Sequence, residues 1–88
     1  RSSYVDSDVF EKSEMTLKQF MIDSDCAFLG KTLRESGIRD KYHCLIAGVE
    51  RGEEMLMTPD VNAPFEEGDV LWVVGEKEDV YQLVGQKN

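Results

Sequence analysis

Short apolar runs alternate with turn-forming residues along most of the chain. The runs span residues 17–22, 44–49, 55–57 and 70–74. They are rich in the β-branched, aromatic and other apolar residues that pack well in strands. Turn-forming residues close them, with Asp23-Ser24-Asp25 after the first run and Pro59 after the third. The pattern therefore predicts four strands. The second is apolar on both faces, which is typical of a central strand.

Two further segments carry helical spacing. Residues 30–36 contain helix formers, and Leu29 and Leu33 are spaced four apart so that both face a core. Gly37 stands where a left-handed C-terminal cap is expected. Residues 76–84 place acids in the first turn, where the helix dipole favours them, and apolar residues on one face. We predict a helix in each segment.

The predicted element order is β-α-β-β-β-α, with residues 38–42 compatible with an additional helical turn. Such an α+β unit covers one face of its sheet with helices and leaves the other face for a partner. Residues 1–16 are rich in acids and Ser and show no sustained period, so we interpret them as a linker. Residues 17–88 then form one small domain, whose limited core favours self-association.

The charge balance limits the partners. The 88 residues carry ten Lys and Arg against eighteen Asp and Glu, and the net charge of −8 repels nucleic-acid polymers and anionic lipid surfaces. Only residues 31–51 reverse this balance, with five bases against three acids. This segment is either ordinary solvated charge on helix faces or a small anion site. The longest apolar run, residues 70–74, is far shorter than the ~20 residues of a membrane span.

Few residues offer catalytic or metal-binding chemistry. Cys26 and Cys44 lack the spacing of a zinc or redox motif, so we interpret both as free thiols and Cys44 as a small buried hydrophobe. Gly30-Lys31-Thr32 lacks the leading glycine of a phosphate-binding loop, because Asp25 stands there. His43 is the only histidine, which excludes a multi-histidine metal site and leaves a surface residue or an anion donor. We therefore predict that the chain is not an enzyme and holds no metal.

Four segments, taken together, resemble a known family. They read Leu29-Gly30-Lys31-Thr32-Leu33-Arg34-Glu35, Gly37-Ile38-Arg39-Asp40-Lys41-Tyr42, Arg51-Gly52-Glu53-Glu54 and Gly68-Asp69-Val70-Leu71-Trp72-Val73-Val74-Gly75. From about Leu17 to Val84 the chain resembles the RCK C-terminal domain, also called TrkA-C. The resemblance implies a β-α-β-β-β-α fold that pairs as a homodimer. It also implies a cytosolic regulatory module of potassium channels, potassium-uptake gating subunits, cation:proton antiporters or some anion permeases.

That resemblance implies a location and a ligand. The location is the cytoplasmic face of the cell membrane, with the transmembrane portion of a transporter as partner. Some family members bind cyclic di-AMP between subunits, through the loop after the first helix and the start of the next strand. Leu33 and Ile38 match the apolar positions against the bases, and Arg39 matches the phosphate-binding arginine. Leu45 stands where those members tend to carry Asn, so one hydrogen bond is missing, and His43 is the candidate to replace it.

Two functions remain open at this point. In the first, the chain regulates a cation:proton antiporter or a potassium-uptake system by sensing a small anionic ligand, cyclic di-AMP or another nucleotide, at its dimer interface. Such a ligand shifts the attached transporter only by its difference in affinity for two dimer geometries. In the alternative, the chain is a dimerisation module without a ligand. It then holds two transporter or permease subunits together through Trp72 and the sheet face.

Overall fold

A computed structural model of the chain describes residues 14–86. The elements are β1 (Met15–Met21), α1 (Leu33–Ser36), β2 (Leu45–Arg51), β3 (Glu54–Leu56), β4 (Val70–Glu76) and α2 (Lys77–Gln86). Their order is the predicted β-α-β-β-β-α, and the fold is α+β. Within this described part, no helix is long and apolar enough to span a membrane.

The four strands form one antiparallel sheet in the order β1-β4-β2-β3. β4 is the last strand in the sequence and pairs with both β1 and β2, so the first and last strands lie side by side. β2 lies between β4 and β3, which confirms that it is a central strand. The pairing of β2 with β4 is irregular between Ile46 and Gly48, and such a bulge increases the local twist.

The core lies on one face of the sheet, which we call the inner face. Leu71 and Val73 of β4 point to this face and are fully buried. α2 packs against β1 and β4 and buries Val80 and Leu83, the side chains that its helical period brings together. Leu33 of α1 is partly buried against the same core. Both helices therefore contribute apolar side chains to the inner face, as predicted.

The opposite face, which we call the outer face, is largely apolar and exposed. Its apolar members are Met15, Leu17, Met21, Leu45, Met55 and Met57 with the partly buried Trp72. The polar residues Gln19, Glu50 and Glu76 share the face, because they pair with Trp72, Met55 and Met15. The register supports the assignment, because Leu17 and Leu45 both stand opposite Val74, and directly paired residues point to the same side of a sheet. Leu45 is 58% exposed. No helix among residues 14–86 covers this face, which leaves it available to a partner.

The bounds of several elements differ from the prediction, and β2 and β4 each extend two residues further than predicted, to Arg51 and Glu76. β1 begins at Met15, so two residues assigned to the linker belong to the strand, while residues 1–13 lie outside the described part. α1 begins at Leu33 rather than at residue 30, because Thr32 caps it and Gly30 has a left-handed φ of 81°. Residues 38–42 form turns instead of a helix, since Gly37 ends α1 with a φ of 77°. β3 and α2 match the predicted segments within about two residues.

Candidate functional site

α1 is short and depends on its cap. The Thr32 hydroxyl accepts a hydrogen bond from the backbone N–H of Glu35 at 3.2 Å, and the Glu35 carboxylate accepts one from the backbone N–H of Thr32 at 3.0 Å. This capping box satisfies two donors that a helix of four residues otherwise leaves free. The cap therefore holds Leu33 in place at the start of the helix.

The connection from α1 to β2 is a compact set of turns. The buried Ser36 hydroxyl donates to the carbonyl of Leu33 at 2.6 Å and accepts from the N–H of Ile38 at 3.2 Å. Further along, the N–H of Cys44 donates to the carbonyl of Ile38 at 2.9 Å. Ile38 itself is fully buried in the core. The neighbouring Arg39 is exposed, so a buried anchor fixes the backbone from which this guanidinium extends.

A shallow pocket of about 100 Å³ lies between α1, this connection and a later loop. Its lining consists of Leu33, Arg34, Arg39, Asp40 and Val61. Two apolar side chains and two guanidinium groups suit a ligand that is flat and apolar at one end and anionic at the other. The carboxylate of Asp40 offsets part of the positive charge. Sites for drug-sized ligands measure roughly 300–1,000 Å³, so the pocket of a single copy of the chain is smaller than such a site.

The structure brings together two of the five residues predicted for this site. Leu33 and Arg39 line the pocket, whereas Ile38 is buried behind the turn. His43 lines a different surface depression, with Asp79 of α2 among its neighbours. Leu45 lies on the outer face. The ligand-binding role of all five residues stays a prediction.

Sequence reasoning missed Arg34, Asp40 and Val61 as members of this pocket. Arg34 was visible as one of the bases of the positive segment, and it directly follows Leu33. Val61 carries no such signal, because it comes from the loop between β3 and β4 and reaches the pocket only through the fold. Contacts of this kind depend on tertiary structure and leave no local periodicity.

Arg51, one of the five bases of residues 31–51, is engaged in a cluster of ion pairs away from the pocket. The guanidinium of Arg51 donates to both carboxylate oxygens of Asp69, at 2.9 and 2.7 Å, and lies 3.1 Å from the carboxylate of Glu66. Asp69 is 1% exposed and also accepts from the backbone N–H of Glu66 at 2.8 Å. The cluster ties the end of β2 to the start of β4. Arg51 is therefore engaged in structure and does not line the pocket.

The protonation of this cluster follows from its geometry. Burial alone would raise the pKa of Asp69, but the hydrogen bonds from Arg51 and from the N–H of Glu66 outweigh burial, and the pKa lies below its ordinary value. The hydrogen bond to Asp69 raises the pKa of Arg51. The pair is thus ionised at neutral pH.

Comparison with known proteins decides the family. The TrkA-C domain model matches residues 17–85, most of the chain. The chain belongs to the TrkA-C domain family. The inner core, the Arg51–Asp69 pair and the pocket beside α1 all lie within the matched residues.

Curated relatives of this TrkA-C domain are potassium transport proteins. The chain is 27% identical over 73 residues to the K(+)/H(+) antiporter subunit KhtT of Bacillus subtilis (strain 168), covering 82% of this chain and 44% of that protein. It is 28% identical over 72 residues to the probable potassium channel protein 2 of Methanocaldococcus jannaschii, covering 82% of this chain and 21% of that protein. The TrkA-C domain thus spans less than half the length of these relatives.

Solved structures share the fold. The RCK C domain of the potassium transport protein KtrA, in complex with cyclic di-AMP, matches with a TM-score of 0.70 and 25% identity, over 86% of this chain and 88% of that chain. The RCK_C domain dimer of S. agalactiae BusR, also in complex with cyclic di-AMP, matches with a TM-score of 0.65 and 24% identity, over 77% and 88% of the two chains. These TrkA-C neighbours confirm the predicted α+β fold.

Proposed function

We propose that this chain is a regulatory domain of a potassium transport protein and that it senses a small anionic ligand between two copies of itself. The observation that carries the proposal is the pocket that Arg34 and Arg39 line together with Leu33 and Val61. Guanidinium groups bind phosphates through paired hydrogen bonds, and apolar walls accept a base. Cyclic di-AMP or another nucleotide combines both features.

Two further observations support a nucleotide shared between copies. The pocket of about 100 Å³ is smaller than a nucleotide site usually is, which supports a site completed by a second copy. In addition, the similar domains of KtrA and BusR were solved in complex with cyclic di-AMP, the latter as a dimer. Leu45 offers no hydrogen bond where cyclic di-AMP binders tend to carry Asn, which favours a weaker complex or a different nucleotide.

The outer face supplies the surface for self-association. Leu17, Met21 and Leu45 are each about half exposed there, at 46%, 52% and 58%. Apolar surface of this kind is stabilised when a partner removes it from water. A second copy is the partner we propose, because a small domain gains stability from association.

Regulation then requires a difference between dimer geometries. A ligand that binds one geometry more tightly shifts the attached transporter by that difference, typically ~1–3 kcal/mol. We place the domain at the cytoplasmic face of the cell membrane, attached to the transmembrane portion of a cation:proton antiporter or a potassium-uptake system. The antiporter subunit among the curated relatives supports the first of these. No catalytic role is part of the proposal.

The outer face also favours a second candidate function. A domain that only holds two transporter or permease subunits together needs the outer face and Trp72 but not the pocket. Trp72 is partly buried on that face, and its indole N–H donates to Glu50 at 2.9 Å. This pairing fixes the ring as a rigid contact surface, which suits an assembly role.

Nucleic-acid polymers are not among the partners we propose, because the net charge is −8. One similar chain, S. agalactiae BusR, was solved in complex with promoter DNA, with a TM-score of 0.67 and 22% identity. This chain covers 34% of that BusR chain. The absence of a nucleic-acid partner therefore stays a prediction, which a DNA-binding assay at low salt checks directly.

Calorimetric titration with cyclic di-AMP tests the proposal. Arg39→Ala should weaken binding at least tenfold and reduce its salt dependence, because one charge-assisted contact is lost. Lys18→Ala is the matched control, since it removes one positive charge from β1, where the Lys18 Nζ lies 5.4 Å from the centroid of the Tyr81 ring of α2. Equal affinities of wild type and Arg39→Ala would refute the site. A stable dimer that binds no nucleotide would favour the assembly function.

A further inference from the structure

All four methionines of the chain lie on the outer face, and none lies in the core. Met15 and Met21 belong to β1, Met55 belongs to β3, and Met57 follows β3 directly. Their exposed fractions are 38%, 52%, 39% and 66%. A thioether is a common filler of irregular core gaps, yet the core of this domain uses none.

Two of the four sulfur atoms meet at one point of the face. A Cβ atom added to Gly48 would lie 3.0 Å from the Sδ of Met55 and 3.7 Å from the Sδ of Met57. Gly48 stands opposite Trp72 in the sheet, so both thioethers lie over the backbone next to the tryptophan. The absence of a side chain at Gly48 leaves room for these sulfurs. Met57 thereby belongs to the same surface as Met55.

We propose that the outer face is a methionine-oxidation site through which peroxide prevents self-association of the domain. The inference rests on the proposed dimer formed through this face. In the reaction the thioether sulfur attacks one peroxide oxygen, the O–O bond breaks and an S–O bond forms. The sulfur loses two electrons, the peroxide is reduced, and water leaves. The product is methionine sulfoxide, which dedicated reductases convert back to methionine.

The thiols of the chain do not compete for the oxidant. Cys26 and Cys44 are both buried, at 6% and 1% exposed. Burial, with a smaller contribution from the charge of Asp79, raises the pKa of the Cys44 thiol, so the reactive thiolate is scarce. The exposed thioethers are therefore the accessible sulfur atoms of the described residues.

Oxidation should change association and leave the protomer folded. A sulfoxide carries a strong hydrogen-bond acceptor, and burying it against an apolar partner without a donor disfavours the dimer. In the separate protomer all four methionines are partly exposed, so oxidation should affect folding less than association. The dimer shields the sulfurs, and the oxidant reaches them in the dissociated chain. Oxidation should therefore slow down as the protein concentration rises.

The test uses the complete 88-residue chain, hydrogen peroxide, intact-mass analysis and sedimentation. Untreated protein should dimerise, and protein carrying four additional oxygen atoms should show a dissociation constant raised at least tenfold, with an unchanged circular-dichroism spectrum. A variant with all four methionines changed to leucine, compared with its own untreated form, should show no response to peroxide. Methionine sulfoxide reductases should restore association of the oxidised wild type.

Three results would overturn the inference, and they separate it from the proposed function. If fully oxidised protein keeps the dissociation constant of the untreated dimer, oxidation does not control association, although the proposed dimer is still supported. If the four-leucine variant responds to peroxide as the wild type does, the methionines are not the site. If untreated protein is monomeric at all concentrations, the proposed self-association fails and the inference fails with it.

Discussion

His43 is held in a backbone conformation that side chains disfavour. Its φ is 60°, in the left-handed region, and its N–H donates to the carbonyl of Arg39 at 3.1 Å. Because the strain comes from a Cβ atom, we expect His43→Gly to be more stable than His43→Ala by about 1 kcal/mol. Urea unfolding of the two variants measures the difference.

Gly37 provides the matched control for this prediction. Its φ is 77°, and an added Cβ would lie 3.0 Å from the Cβ of Lys41. Gly37→Ala should therefore lower the free energy of unfolding by more than 1 kcal/mol, roughly the strain at a left-handed position. Equal stability of His43→Gly and His43→Ala, alongside a destabilised Gly37→Ala, would show that His43 is relaxed in solution.

The two partners of the Arg51–Asp69 pair should respond differently to substitution. Arg51→Met leaves the carboxylate of Asp69, which is 1% exposed, without its cation and should cost about 2–4 kcal/mol. Glu66→Gln alters only an exposed contact of the same arginine and should cost less than about 1 kcal/mol. Chemical denaturation at pH 7 checks the ranking, and equal costs would contradict it.

The lowered pKa of Asp69 makes the stability depend on pH. The carboxyl has a lower pKa in the folded chain than in the unfolded one, so its stabilisation is complete above the unfolded value of about 4 and is lost as the pH falls through the folded value. The difference in unfolding free energy between wild type and Asp69→Asn should therefore shrink below about pH 4. A difference that stays constant down to pH 2 would contradict the assignment.

At the scale of elements, the capping box of α1 is the feature most sensitive to a single change. Thr32→Ala removes the acceptor for the N–H of Glu35 and should lower the unfolding free energy by about 1 kcal/mol. Because Leu33 starts this helix and lines the pocket, affinity for the nucleotide should fall as well. Thr32→Ser keeps the hydroxyl and should preserve both properties. Unfolding and titration curves of the two variants provide the comparison.

The order of the elements could be predicted from the sequence because strands and turns here have a local chemical signature. Apolar runs end at Gly, Pro or clusters of Asp and Ser, and the strand bounds lie within about two residues of these runs, although β4 continues through Gly75 to Glu76. The predicted start of α1, at residue 30, was wrong because Lys31 and Thr32 are compatible with a helix. In the structure, Thr32 acts as a cap and Gly30 adopts a left-handed φ.

The candidate site was predictable only in part. Family resemblance pointed to Leu33 and Arg39, and the fold places both in one pocket. It also pointed to Ile38, which is fully buried, because an apolar residue in a turn can face either a ligand or the core. Val61 enters through tertiary packing alone. The sequence thus identified the segment that forms the pocket, whereas tertiary packing determines which of its side chains line it.

At the scale of the whole molecule, self-association depends on the outer face. Leu17→Glu would bury an unpaired carboxylate in the proposed interface and should raise the dimer dissociation constant at least tenfold. Since Leu17 is 46% exposed, the unfolding free energy of the protomer should change little. Analytical ultracentrifugation gives the dissociation constant.

Gln82→Glu is the control for this variant. Gln82 is an exposed residue of α2, the helix that packs on the inner side of the sheet, and the substitution adds the same charge. It should leave the dimer intact. If both variants dissociate equally, net charge rather than the outer face controls association. If neither does, the interface lies elsewhere.

The position of β4 between β1 and β2 affects how the sheet folds during synthesis of the chain. β4 begins at Val70 and pairs with β1, whose partner residues Gln19 and Trp72 are 53 positions apart in the chain. A chain emerging from the ribosome thus carries β1 and the β2–β3 hairpin before the strand that joins them exists. Such distant pairing slows folding. We therefore expect the sheet to assemble only after residue 76 has left the exit tunnel, and β1 to be exposed until then.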